Sequence, residues 1–127
     1  MIREEIVTYE VAKLAKEKRF REKCIEHYYD DTKDLYRSSN PQCYNFGGNT
    51  SDAPTQSLLQ RWLREKKNIH IEIVATASGY FWIADKVNGT AITDSDILDR
   101  GINDGGCWDI YDQALEDALK YSLENLV

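Results

Sequence analysis

Five side chains of a kind that ligates metals are spread along this chain: Cys24, His27, Cys43, His70 and Cys107. Their spacing argues against a shared ion. Neither a Cys-x-x-Cys pair nor a His-Glu-x-x-His run occurs, and those patterns bring two ligands to one side of a turn or helix. Cys24 and His27 fall three apart on a predicted strand, so they project to opposite faces. His70-Ile71-Glu72 contains the His-x-Glu of a zinc deaminase without the Pro-Cys-x-x-Cys that must follow it. No metal and no other cofactor is expected.

Nucleophiles fare little better. Cys107 follows Gly105-Gly106 near a helix start, a setting that favours thiolates in general. Pairing it with His70 or His27 would make a papain-like dyad, but the local motifs of that class are missing, and a small buried cysteine is the simpler reading. Glu72 and His70, two apart on one strand, share a face and are geometrically able to act as an acid–base pair, but a solvated polar face is the simpler reading. Gly47-Gly48-Asn49-Thr50 lacks the lysine of a phosphate loop, and Gly101 to Gly106 lacks Gly-x-Gly-x-x-Gly. No residue is assigned as catalytic, and the reading leans away from an enzyme.

The elements that must position these residues are clearer than the chemistry. Thr8 suits a helix N-cap, with Val7, Val11, Leu14, Ala15 and Phe20 as the buried stripe. Lys23 to Tyr29 reads as a strand, Asp30-Asp31 as a tight turn, and Leu35-Tyr36 as a shorter returning strand. Residues Ser38 to Ala53 read as one 16-residue loop with Tyr44 and Phe46 embedded, a length that points to function or mobility. Pro54 and Thr55 open a helix whose inner face is Leu58, Leu59, Trp62 and Leu63, and Asn68 stops it. A period of 3.6 then gives way to a period of 2 at Ile69, Ile71 and Ile73. Ile69–Ala75 and Tyr80–Val87 pair through Thr76–Gly79, and Asn88-Gly89 turns Thr90–Ile92 back as a short edge strand. Asp94 or Ser95 caps a single helical turn through Leu98, and Tyr111, Leu115, Ala118, Leu119, Ser122 and Leu126 line a last helix.

The order is α-β-β-α-β-β-α. It predicts a single α+β domain over residues 1–127, with a mainly antiparallel sheet of about four strands and three helices packed mostly on one face. Ile69, Ile71, Ile73, Phe81 and Ile83 then face the helices. His70, Glu72, Tyr80 and Trp82 face the other way. That second face, flanked by the long loop with Tyr44, is the expected binding surface.

Composition narrows the partner. The chain has 127 residues, 42% of them hydrophobic, with three Trp, eight Tyr and three Phe, which suits a folded globule. No run approaches the roughly 18 apolar residues of a membrane helix. Met1-Ile2-Arg3-Glu4-Glu5 lacks the apolar stretch of a signal peptide, so a cytoplasmic protein with reduced thiols is expected. The net charge is −6, and from Ala84 onward ten acids meet only Lys86, Arg100 and Lys120. Such a balance disfavours duplex binding, which rests on neutralised phosphates. Lys13 to Lys23 and Arg61 to Lys67 gather bases toward predicted helix C-termini, where they complement the helix dipole. The first helix is not followed by a recognition helix, and the Tyr80/Trp82 stripe lacks the basic-Gly-aromatic pattern of RNA-binding sheets.

Three blocks carry a resemblance. They are Thr8 to Lys18 (TYEVAKLAKEK), Ala53 to Lys66 (APTQSLLQRWLREK) running on to Asn68-Ile69-His70-Ile71, and Tyr111 with Ala114-Leu115-Glu116 and Ala118-Leu119-Lys120. Together, over roughly a third of the chain, they resemble a group of small proteins carried by phages and mobile elements of gut bacteria. The group has no assigned activity, so the resemblance implies a context and no site residue. Its members usually carry Gly where this chain has Arg19, at a helix C′ position that favours positive φ; Arg19 must strain that cap or let the helix run on toward Arg21. The expected function is a non-catalytic accessory or protein-interaction module, with a homodimer as one form and no membrane or nucleic-acid partner. The alternatives are a small-molecule binder or enzyme with its pocket between the 38–53 loop and the sheet, using His70, Glu72, Tyr44 or Cys107, and an acidic mimic of nucleic acid.

Overall fold

The computed structural model describes residues 2–89 and 92–127. The chain is α+β, with three α-helices and two antiparallel sheets of three strands each among the described residues. It forms two compact units, one ending at Leu59 and one starting at Gln60.

In the first unit, α1 (Tyr9–Glu17) begins at Thr8, whose Oγ1 accepts from the Val11 amide. The helix stops in a Schellman motif. The Phe20 amide donates to Ala15 O at 2.9 Å, the Arg19 amide to Lys16 O at 3.1 Å, and Arg19 has φ 66°. Val7, Val11, Ala12, Ala15 and Phe20 are buried, whereas Leu14 is only half-buried. Strand β1 (Cys24–Tyr29) lies between β2 (Leu35–Gln42) and β3 (Thr50–Ala53). Tyr9 meets Tyr28 edge-on, and the Tyr28 hydroxyl donates to Val7 O at 2.7 Å, so α1 covers the Tyr28 face of this sheet.

This arrangement corrects the expected long loop. Strand β2 runs eight residues, and Thr50–Ala53 is a strand, leaving only residues 43–49 to connect them. Strand β3 carries no apolar alternation because two of its buried side chains, Ser51 and Asp52, are polar; hydrogen-bonding partners rather than hydrophobicity let them go inside. The registers Cys24↔Gln42 and Glu26↔Arg37 also leave residues 38–41 bulging opposite Ile25.

Helix α2 (Gln56–Lys67) spans the division between the units. Thr55 Oγ1 accepts from the Leu58 amide at 3.1 Å, and Asn68 at φ 58° ends the helix. Leu59, Trp62 and Leu63 are buried.

In the second unit, β5 (Gly79–Lys86) lies between β4 (Ile69–Thr76) and β6 (Ile92–Asp94), and α3 (Tyr111–Asn125) packs on β5 and β4. Thr90 and Ala91, expected in the short edge strand, lie outside the described residues. Helix α3 buries Ala114, Leu115, Ala118, Leu119, Ser122 and Leu123, while Tyr111 is exposed. Only Ala77 and Ser78 separate β4 from β5, so Thr76 pairs with Gly79 and Ile73 with Trp82. That register reverses the expected faces of β5. Paired residues share a face, so Tyr80, Trp82 and Ala84 join Ile69, Ile71 and Ile73, whereas Phe81 and Ile83 join His70, Glu72 and Val74. The expected turn at Thr76–Gly79 already pairs Ala75 with Tyr80; the expected faces depart from that pairing, and alternation with period two puts Trp82, not Phe81, beside Ile73.

Candidate functional site

The residues expected to form one binding face are divided by the structure. Trp82 is fully buried: its ring lies 5.2 Å from that of Tyr121, and its Nε1 donates to Asp117 Oδ2 at 2.9 Å. Asp117 also takes a two-pronged bond from Arg100, at 2.7 and 2.8 Å, and this pairing raises the guanidinium pKa. Tyr80 is half-buried and edge-on to Tyr111. His70 and Glu72 do stand together, exposed, on the face turned away from α3, with Val74, Phe81 and Ile83 half-buried beside them. Tyr44 belongs to the first unit, where its ring lies 4.7 Å from that of His27.

His27 is the centre of a site that no local motif announced. It is wholly buried, as is Asp52, and the two share a face because they pair across β1 and β3. His27 Nδ1 lies 2.8 Å from Asp52 Oδ1, and Nε2 lies 3.0 Å from Ser38 Oγ. The Tyr44 amide donates to both Asp52 oxygens, at 3.1 and 2.8 Å. Asp52 accepts the Tyr44 amide, and its contact with Nδ1 holds the imidazole so that Nε2 faces the Ser38 hydroxyl. The Asp52 amide in turn donates to Asn45 Oδ1 at 2.8 Å, and Asn45 Nδ2 donates to Phe20 O at 2.9 Å. Asp52 thus pins the 43–49 connection to the sheet while orienting His27. The pairing is invisible to sequence spacing, since 25 residues separate the two.

The cysteines are a contrast. Burial above all pushes the Cys24 thiol up to about 12, and burial with the nearby Asp52 carboxyl raises that of Cys43. Cys107 is buried, its Sγ 3.6 Å from Gly105 O. Among the described residues, no group of three His, Cys, Asp or Glu is arranged to hold a metal ion.

On the other face of the first sheet, where Glu26 pairs with Arg37 and Ala53, lies a cleft of about 690 Å³. Ile6, Cys24, Pro54 and Leu58 contribute to its lining, and a Glu26–Arg37 ion pair at 3.3 Å lies beside it.

Comparison with profiles of known families, with curated proteins and with solved structures finds no match. No helix among the described residues is long and apolar enough to cross a membrane.

Proposed function

We propose that the chain is an accessory protein-interaction module whose second unit holds a protein partner against the open face of its sheet. One observation carries this reading: α3 fills the Trp82 side of the β4–β5 hairpin, while the opposite side presents His70 and Glu72 to solvent and leaves Phe81 half-exposed. A partly exposed aromatic flanked by polar side chains has the character of an interface anchor with its rim. The resemblance to phage-borne proteins supports an accessory role. The test is affinity purification from the native host with the parent chain, Phe81→Ala and Glu72→Lys. A reproducible protein partner that both variants lose, while melting like the parent, is the expected result. Retention of every partner by both variants overturns the face assignment.

A second reading is favoured by the cleft of the first unit, whose volume lies within the ~300–1,000 Å³ range of small-molecule sites. Ligand binding there, blocked by Leu58→Trp with the sheet-face variants unaffected, would select it.

A further inference from the structure

We propose that Asp52, His27 and Ser38 form an acyl-transfer centre in which Ser38 is an activated nucleophile toward small aryl esters. The proposal goes beyond the binding reading and concerns the other unit of the chain. It rests on geometry. Asp52 orients Nδ1 at 2.8 Å, and Nε2 faces a hydroxyl at 3.0 Å, which is the order of contacts that lets an imidazole take a serine proton. The Tyr44 amide fixes the carboxyl group through both oxygens, so the relay is preorganised. Tyr36 pairs with His27, and Ser38, two residues further along the edge strand, shares that face by alternation; Ser38 keeps part of its surface exposed.

His27 has no accessible surface, and a base that acts on an adjoining hydroxyl needs contact with that hydroxyl, not with solvent. At rest, Ser38 Oγ also lies 2.7 Å from Asn40 O and 3.2 Å from Ile25 O. These carbonyls compete for its single proton, so the reaction is slow unless the leaving group is good. That competition selects aryl esters over alkyl esters or amides.

The step balances with water as the only co-reactant. Ser38 Oγ attacks the ester carbonyl carbon while its proton passes to His27 Nε2. The bond from carbon to the aryl oxygen breaks, and that oxygen leaves with the electron pair as a phenolate, the proton staying on the enclosed Nε2. Water then attacks the acyl group on Ser38 from the solvent side and releases a proton to bulk water, where the phenolate takes it up. The bond to Oγ breaks, and its electron pair takes back the proton held on Nε2 to restore the serine. The products are the carboxylic acid and the phenol. Ser38 and His27 touch the reacting atoms; Asp52 is a positioning residue.

The full chain is treated with a fluorophosphonate and with p-nitrophenyl acetate, followed by intact mass, peptide mapping and release of nitrophenolate across pH. A single adduct on Ser38 is expected, absent in Ser38→Ala, and formed about a hundredfold more slowly in His27→Gln and Asp52→Asn. Because those two variants open a buried network, Ser38→Cys is the companion. Its thiol should alkylate with iodoacetamide faster than glutathione does at pH 6. An unlabelled Ser38 in the folded protein, labelling confined to tyrosines or lysines, or a Ser38→Cys thiol no faster than glutathione overturns the proposal.

Discussion

Ile73 and Trp82 sit opposite each other across the β4–β5 hairpin, and this one pairing assigns every side chain of β5 to its face. Trp82 lands beneath α3, where Asp117 receives its indole N–H at 2.9 Å. Phe81, its neighbour in sequence, lands on the opposite side.

Trp82→Ala should therefore behave as a core truncation. It removes a fully buried indole, and a loss of about 3–5 kcal/mol is expected from the cavity and the lost contacts. Trp82→Phe should cost less, and Phe81→Ala least of the three. Urea midpoints at constant m-value check the order; a Trp82→Ala chain as stable as Phe81→Ala would refute the register.

Arg19 occupies the left-handed region at φ 66° to close α1. A side chain there costs roughly 1–2 kcal/mol through contact of Cβ with the following carbonyl. Arg19→Gly should raise stability by about 1 kcal/mol, less the extra entropy that glycine gives the unfolded chain. Thermal unfolding of the single variant reads the sign directly.

Asp30 gathers Ser51 Oγ at 2.6 Å, Lys16 Nζ at 3.3 Å and Lys13 Nζ at 3.6 Å. Burial alone would raise its pKa, but these partners together hold it below its ordinary value of 3.8. A carboxyl depressed in the folded state contributes stability above its unfolded pKa and loses that contribution as pH falls through the folded one. The stability gap between the parent and Asp30→Asn should be full at pH 6, shrink below about pH 4 and close at lower pH. Urea titrations at stepped pH measure it; a gap constant from pH 6 to pH 2 would contradict the assignment.

Ser122 is buried on α3, and its Oγ has no hydrogen-bond partner. A hydroxyl desolvated without compensation costs about 1–3 kcal/mol, and alanine is the better helix former. Ser122→Ala should leave the fold intact and raise the urea midpoint; a lowered midpoint would mean the hydroxyl is satisfied in solution.

Much of the architecture was legible in the residues themselves. Thr8 and Thr55 begin their helices and Asn68 ends one, because short side-chain oxygens and left-handed turns are local properties. The shift from helical to alternating hydrophobicity at Ile69 marked the α+β class. What lay beyond reach was non-local. Strand β3 exists because β1 pairs with it, and its buried Ser51 and Asp52 carry no hydrophobic signal. The face of Trp82 follows from its pairing with Ile73 across the hairpin, which the apolar residues Phe81, Trp82 and Ile83, adjacent in sequence, do not announce. His27, Asp52 and Ser38 met only once three strands were laid side by side. Local chemistry sets which elements form, while pairing register and chain crossings decide which side chains touch, and those depend on contacts between residues far apart in sequence.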